Sequence, residues 1–144
     1  MRAFAVRLPP GTDLKAELVR LTEAHALGAG FILTCVGSLA RARLRMPGAA
    51  GAAEVYRAFD EPMEIVSLTG TLSPDGPHVH ISLSRADGAC LGGHLGAGCF
   101  IHTTAELVIG DLTDAEFRRV ADPATGYAEL SVLPRGAKDD ASGT

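Results

Sequence analysis

The feature that most constrains this chain is the run from Gly70 to His102, which holds four of its five histidines. The run reads GTLSPDGPHVHISLSRADGACLGGHLGAGCFIH. Apolar residues alternate on both sides of the segment Arg85-Ala86-Asp87-Gly88, which predicts two antiparallel strands joined by a tight turn. Imidazoles gathered on strands in this way are typical ligands of a transition metal. The run therefore predicts a β-hairpin that carries a candidate metal site.

The spacing of the histidines indicates how they could meet. His78 and His80 are two residues apart on one strand, so they share a face and lie about 6 to 7 Å apart. A type I turn followed by Gly88 in the left-handed region places His80 directly opposite His94. Opposed residues have Cβ atoms about 5 Å apart, and their rings can reach one ion at about 2.0 to 2.1 Å. This register predicts that His78, His80 and His94 converge.

A second register is open to the same sequence. A two-residue loop at Asp87-Gly88 would set His94 opposite Ile81 and turn it toward the core, because a one-residue slip inverts every side chain. We favour the first register because it makes both strands consistently amphipathic. The apolar residues that then share the core face are Val79, Ile81, Leu83, Leu91 and Leu95. Each histidine alone is equally well interpreted as a hydrogen-bonded side chain, but three on one small face favour a metal site.

Other polar residues are candidate neighbours of the same pocket. His102, Thr104 and Glu106 occupy one face of a long alternating run from Phe100 to Ile109. Cys90 lies on the second strand of the hairpin. Thr104 and Glu106 are the candidates for substrate binding and proton transfer. We favour the interpretation that they are solvated or that they pair with polar residues across the strands.

Arg41, Arg43 and Arg45 alternate along another predicted strand and would line one face, where they could contact an anion or DNA. An intersubunit salt-bridge belt explains the row equally well. The net charge is −4 and the pI is about 5.7, whereas duplex binding draws its affinity from neutralised phosphates. We therefore expect DNA binding to be weak or indirect if it occurs.

An ordered series of segments resembles the PPC domain, the plants-and-prokaryotes-conserved domain. The segments are GSLARARLR at 37–45, MEIVSLTG at 63–70, SPDGPHVHISLS at 73–84, GGHLGAGC at 92–99, TTAELVI at 103–109 and DPATGYAEL at 122–130. The resemblance implies an α+β fold built mainly on an antiparallel sheet, a homotrimer, and a metal site on His78, His80 and His94. The implied ion is zinc or another divalent transition metal. In plant relatives an AT-hook carries DNA contact, and this chain resembles the hookless domain that stands alone in bacteria.

The patterning along the chain predicts one domain with two helices. At 144 residues the chain fits a single domain, which we place at 1–133, with a polar and disordered tail at 134–144. A long helix is expected over about 12–27, and a capping box predicts a short helix over 113–120. The segment PGAAGAA at 47–53 is interpreted as a mobile loop or a hairpin tip.

The hydropathy and the cysteine content of the chain indicate its cellular compartment and argue against some kinds of site. No apolar run approaches the roughly 20 residues that span a bilayer, and the first residues show no secretory signal, so the cytoplasm is expected and no membrane partner. Three cysteines without C-x-x-C spacing predict neither a disulfide framework nor a thiolate zinc cluster.

The sequence favours a regulatory or candidate DNA-binding protein that carries a metal, with protein partners or a small-molecule ligand. A metal-dependent enzyme acting on a small molecule is the alternative, because three-histidine zinc with an open position can lower the pKa of bound water to about 7. No motif in the sequence identifies catalytic residues.

Overall fold

The chain folds into a curved antiparallel sheet, one helix and a separate two-stranded arm. The computed structural model describes residues 1–48 and 53–136. The elements in chain order are β1 (Arg2–Leu8), α1 (Leu14–Ala24), β2 (Gly30–Arg45), β3 (Tyr56–Phe59), β4 (Met63–Ser73), β5 (Gly76–Ser84), β6 (Cys90–Leu95), β7 (Phe100–Asp111), β8 (Ala115–Asp122) and β9 (Tyr127–Pro134). The main sheet has the order β1-β7-β2-β4-β5-β6 with β3 on β2, and β8 pairs with β9 to form the arm. The predicted α+β class, built mainly on an antiparallel sheet, is confirmed.

Strand β2 joins most of the sheet because it is long and bent. It pairs with β7 and β4 along its first part and with β3 and β6 at its end. Register shifts between Ile32 and Thr34, and again on both sides of Leu39, bend the strand. Because β4 leads through β5 to β6, and β6 returns to β2, these four strands form a closed ring of paired strands.

Helix α1 begins where the sequence places it and ends earlier. The Asp13 carboxylate accepts the backbone N–H groups of Lys15 at 3.0 Å and Ala16 at 3.2 Å, which is a standard N-cap. The helix ends at Ala24, three residues before the predicted limit. Its buried stripe, Leu14, Leu18 and Leu21, joins the hydrophobic core of the sheet. No helix within 1–48 and 53–136 is long and apolar enough to cross a membrane.

The predicted short helix over 113–120 is wrong, because this segment enters strand β8. The capping-box pattern is present, but the residues that follow pair over their whole length with β9. Asp122 closes the turn between the two strands, its carboxylate accepting the Ala124 N–H at 2.8 Å and its carbonyl accepting the Gly126 N–H at 2.8 Å. Gly126 has a φ of +76°, the left-handed conformation that such a turn favours. Pairing with the next strand along the chain has overridden a local helix signal.

Two sequence predictions lie wholly or partly outside the described residues. The loop or hairpin tip predicted at 47–53 falls largely on 49–52. Of the tail predicted at 134–144, residues 137–144 are outside. Pro134 still belongs to β9, and Arg135 makes side-chain contacts with the body of the fold. The single domain over 1–133 stays a prediction.

A buried carboxylate ties the ends of several elements together. Asp111, at the end of β7, is 0% exposed and accepts the Ala29 N–H at 3.0 Å. Its other oxygen accepts from Arg2 at 3.0 Å and from Arg135 at 3.4 Å. Both arginines also donate to backbone carbonyls just after α1, at His25 and Ala26. Asp111 thus links β1, the segment before β2 and the residue after β9.

We expect Asp111→Ala to lower the free energy of unfolding by about 2 to 3 kcal/mol, because it leaves the Ala29 N–H unsatisfied and two guanidinium groups without their partner. Urea unfolding measures the change. Arg20→Gln is the control, since Arg20 and Glu17 form a pair at the surface whose loss should cost less than about 0.5 kcal/mol. Equal losses in the two variants would contradict the role of Asp111.

Candidate metal centre

The structure brings His78, His80 and His94 together on one face of the β5–β6 hairpin. His80 is paired directly with His94, and Ile81 with Gly93. The ring centroids lie 5.2 to 5.5 Å apart, and one nitrogen of each ring lies within 4.8 Å of the others. The three histidines are therefore a group that could hold one metal ion.

The turn that sets this register has the predicted form. The Gly88 N–H donates to the Arg85 carbonyl at 2.9 Å, and Arg85 N–H donates to the Ala89 carbonyl at 2.9 Å. Gly88 has a φ of +82°, which favours glycine. The Asp87 carboxylate accepts the Ala89 N–H at 2.9 Å and closes the loop. The favoured register is confirmed, and the two-residue loop that would have buried His94 does not form at these residues.

Strand β4 supports the histidines from the other side of β5. Thr71 is paired with His78 and Thr69 with His80, so both threonines share the histidine face. Between them Gly70 is paired with Val79. A Cβ at Gly70 would lie 2.1 Å from the His78 carbonyl oxygen, so only glycine allows β4 to approach β5 this closely.

The surroundings favour neutral imidazoles. Burial, followed by the nearby charge of Arg45, lowers the pKa of His94 from its ordinary value of 6.5 to about 4. Burial and then the charge of Arg119 lower the pKa of His78. Arg45 places Nη2 at 3.4 Å from Nδ1 of His94, and a guanidinium can only donate. Neutral imidazole is the form that binds a metal, so this environment of His78 and His94 and the three imidazoles on one face fit zinc.

The histidines form part of a cleft of about 1020 Å³. One wall comes from the end of β2, the residues before β3 and the first residue of β3, including Arg45, Glu54 and Tyr56. The opposite wall comes from the β8–β9 arm, which contributes Arg119 and Glu129. A group of donors beside an open cleft can bind an ion and leave it accessible to a small molecule.

The other predicted pocket residues lie elsewhere in the described part of the chain. His102, Thr104 and Glu106 are on β7, which β2 and β4 separate from β5. Thr104 accepts a hydrogen bond from Arg7 of β1 at 3.0 Å. Cys90 is exposed and paired with Ser84, four residues from His94 and thus about 13 Å along the strand. These four residues do not line the cleft over the histidines.

Each arginine of the predicted basic row has a partner in its own chain. The pairs are Arg41 with Asp60 at 3.2 Å, Arg43 over the Tyr56 ring at 4.0 Å, and Arg45 with Glu54 at 2.9 Å. The guanidinium groups that we considered as contacts for an anion or DNA therefore interact with carboxylates and an aromatic ring of the same chain. Only Arg45 of the three lines the histidine cleft.

Arg119 and Glu129 also line the cleft, and neither was predicted from the sequence. Arg119 donates its backbone N–H to the Asp75 carboxylate at 2.9 Å and a guanidinium N–H to the Thr71 hydroxyl at 2.7 Å. Glu129 lies near enough for its charge to act against the lowering of the His78 pKa. The D-P-A-T-G turn between two alternating segments was the signal for a hairpin, and a hairpin would have placed both residues on one arm.

A family model for the Plants and Prokaryotes Conserved (PCC) domain matches residues 1–113. The match includes the three histidines and ends before β8. The curated relatives are longer: this chain is 46% identical over 134 residues to a bifunctional protein GlmU from Synechococcus sp., covering 93% of this chain and 21% of that protein. The chain spans about a fifth of the length of the curated relatives it matches.

Solved structures resemble the chain over most of its length. A hypothetical protein from Salmonella cholerae-suis is 37% identical with a TM-score of 0.86, covering 93% of this chain and 94% of that one. A metal-containing protein from Archaeoglobus fulgidus is 26% identical with a TM-score of 0.80, covering 91% and 94%. A candidate DNA-binding protein from Bacteroides thetaiotaomicron is 25% identical with a TM-score of 0.82, covering 90% and 91%. With the family match over 1–113, these likenesses confirm the resemblance seen in the sequence: the chain belongs to the Plants and Prokaryotes Conserved domain family.

Proposed function

We propose that this protein is a homotrimeric zinc protein that binds a small molecule beside the ion, in a regulatory or binding role. The observation that carries the proposal is the cluster of His78, His80 and His94 in an accessible cleft. Two of the three imidazoles are held in the neutral form. The likeness to the metal-containing protein from Archaeoglobus fulgidus supports a bound metal ion in this chain.

The division of labour in the site follows from the positions of the residues. Three imidazoles supply the nitrogen donors, and zinc so held leaves one position for water or a ligand. Arg45 approaches His94 from the end of β2, and Glu54 offsets its charge. The arm supplies two further charged groups, Arg119 and Glu129, on the opposite wall. The chain thus holds the ion from one side and leaves the other side for a ligand.

A metal-dependent enzyme acting on a small molecule is the second candidate, and Glu129 is the observation that favours it. Its carboxylate lines the same cleft as the histidines. A carboxylate beside a bound ion can accept a proton from a substrate or from water, which is the part that a general base plays in hydrolysis and hydration.

DNA binding has weaker support. The similar structure from Bacteroides thetaiotaomicron is described as a candidate DNA-binding protein. In this chain the three arginines of β2 have local partners and the net charge is −4. Phosphate contacts supply most of the affinity for a duplex, so these features favour at most weak and indirect association.

The trimer has support from apolar side chains that the single chain leaves exposed. Residues of this kind on the main sheet are Leu33, Val36, Val66 and Phe100, and those on the arm are Val120, Tyr127, Leu130 and Val132. A two-stranded arm is marginal by itself and gains stability when its apolar surface is covered. In a closed ring of three chains, the same interface is repeated three times and would cover such surfaces on every chain.

Purified protein should hold about one zinc per chain, because three imidazoles supply the donors of an open zinc site. His80→Ala is expected to lose most of the metal, since His80 is exposed and its removal leaves two donors while disturbing little of the core. Mass spectrometry of the metal content gives the stoichiometry. His102→Ala, on β7, is the control and should keep the zinc. No bound transition metal after zinc loading would rule out the metal site.

The metal-free protein should lose stability as the pH falls from about 6.5 to about 4. The pKa of His94 is lowered from 6.5 to about 4 in the folded state, so in this window the unfolded chain binds the extra proton. Urea unfolding across this range measures the loss. His94→Gln should flatten the profile relative to wild type, whereas His102→Gln should keep it because His94 is retained. Identical profiles for wild type and His94→Gln would contradict the assignment.

Light scattering should give a mass of about three times 14.9 kDa that persists on dilution, because the exposed apolar strands need cover in solution. Val36→Asp should shift the mass toward the monomer, since Val36 is 60% exposed on β2. Ala16→Asp, on the exposed side of α1, is the matched control and should leave the mass unchanged. A wild-type monomer at micromolar concentration would exclude the trimer.

A further inference from the structure

We propose that the cleft over the three histidines binds a small carboxylate-bearing molecule and that Arg119 recognises its carboxylate. The inference rests on the proposed function, because the ligand would share the cleft with the ion. It goes further by naming the chemical class of the ligand and the residue that selects it.

Arg119 is held beside the histidines by two hydrogen bonds. Its backbone N–H donates to the Asp75 carboxylate, and its Nη2 donates to the Thr71 hydroxyl at 2.7 Å. Thr71 is the cross-strand partner of His78, and such partners have Cβ atoms about 5 Å apart. The guanidinium therefore lies next to His78 in the wall of the cleft.

The charge of Arg119 is not neutralised by the part of the chain that the structure describes. No carboxylate there lies within ion-pair distance of its guanidinium, and the side-chain hydrogen bond it makes is to a neutral hydroxyl. Its neighbour Arg118 differs, since it pairs with Asp75 at 3.6 Å and with Glu116. A guanidinium has five N–H donors arranged to bind a carboxylate through two parallel bonds, and most of those of Arg119 are unused.

The other charged residues of the cleft do not prevent an anion from binding beside Arg119. Arg45 is paired with Glu54, and Asp75 with Arg118. Lys15, Arg119 and Glu129 complete the charged lining. A bound divalent cation would make the cleft strongly positive, and an anionic oxygen suits both an open zinc position and a guanidinium fork. One unpaired guanidinium matches the single charge of a carboxylate, and a volume of about 1020 Å³ admits a small metabolite.

The test uses the full chain loaded with cobalt, whose visible absorption responds to a ligand at the ion. Acetate is the probe, and acetamide is its neutral isostere. We expect acetate to change the spectrum and acetamide to leave it unchanged. Arg119→Gln should weaken acetate binding about tenfold or more, the loss typical of one hydrogen-bonded charge pair. Arg20→Gln removes the same charge from a surface pair on α1 that does not line the cleft, and it should change the affinity by less than about twofold.

Arg119→Lys keeps the charge without the fork and should give an intermediate affinity, which also covers the case in which Arg119→Gln fails to fold. Equal weakening by Arg20→Gln and Arg119→Gln would overturn the role of Arg119, as would acetamide binding as well as acetate. Phosphate binding more tightly than acetate would overturn the assignment to a carboxylate. The metal content of every variant is measured in parallel. A protein without metal removes the proposed function, whereas a metal-loaded protein that ignores acetate removes this inference alone.

Discussion

Strand β6 is hydrogen-bonded on both edges, to β5 along its length and to β2 at Leu44 and Arg45. Gly92 and Gly93 in β6 and Gly96 just after it allow the neighbouring strands to approach this closely. A Cβ would lie 2.6 Å from a carbonyl oxygen of β5 at Gly92, and 2.9 Å and 2.5 Å from carbonyl oxygens of β2 at Gly93 and Gly96. Side chains at these positions would push the neighbouring strands away. His94 therefore owes its position to backbone pairing on both sides, and the convergence of the three histidines depends on that pairing.

The hairpin could be predicted from the sequence because its determinants are local. Alternation of apolar residues sets the face of each histidine, and the left-handed Gly88 sets the register, all within a short stretch of chain. The N-cap of α1 is local in the same sense, since Asp13 bonds to residues two and three positions ahead. The structure of these segments is therefore determined almost entirely by residues close together in the sequence.

The composition of the cleft walls could not be predicted in this way, because it depends on which distant strands meet. Alternation places His102 and Glu106 on an outward face of β7, but it does not say that two strands separate β7 from β5, which carries His78 and His80. Arg119 reaches the cleft because β8, which forms against a local signal for a helix, bonds to Asp75 and Thr71, 44 and 48 residues earlier in the chain. Alternation also predicts that the β2 arginines share a face. It does not predict their partners, which lie on β3 and on the residues just before and after it.

In the proposed site, the charges around the histidines would couple the binding of the ion to the binding of the ligand. Arg45 and Arg119 favour neutral imidazoles, but they would also repel a divalent cation; Arg45 is paired with Glu54, whereas Glu129 acts on His78 from the cleft without pairing with Arg119 within the described residues. A site that held an ion and nothing else would bind it more tightly without Arg119. An anion in the cleft interacts favourably with both the ion and the guanidinium, and so removes this repulsion. Binding of each then strengthens binding of the other by the same factor, since coupling between two sites is reciprocal.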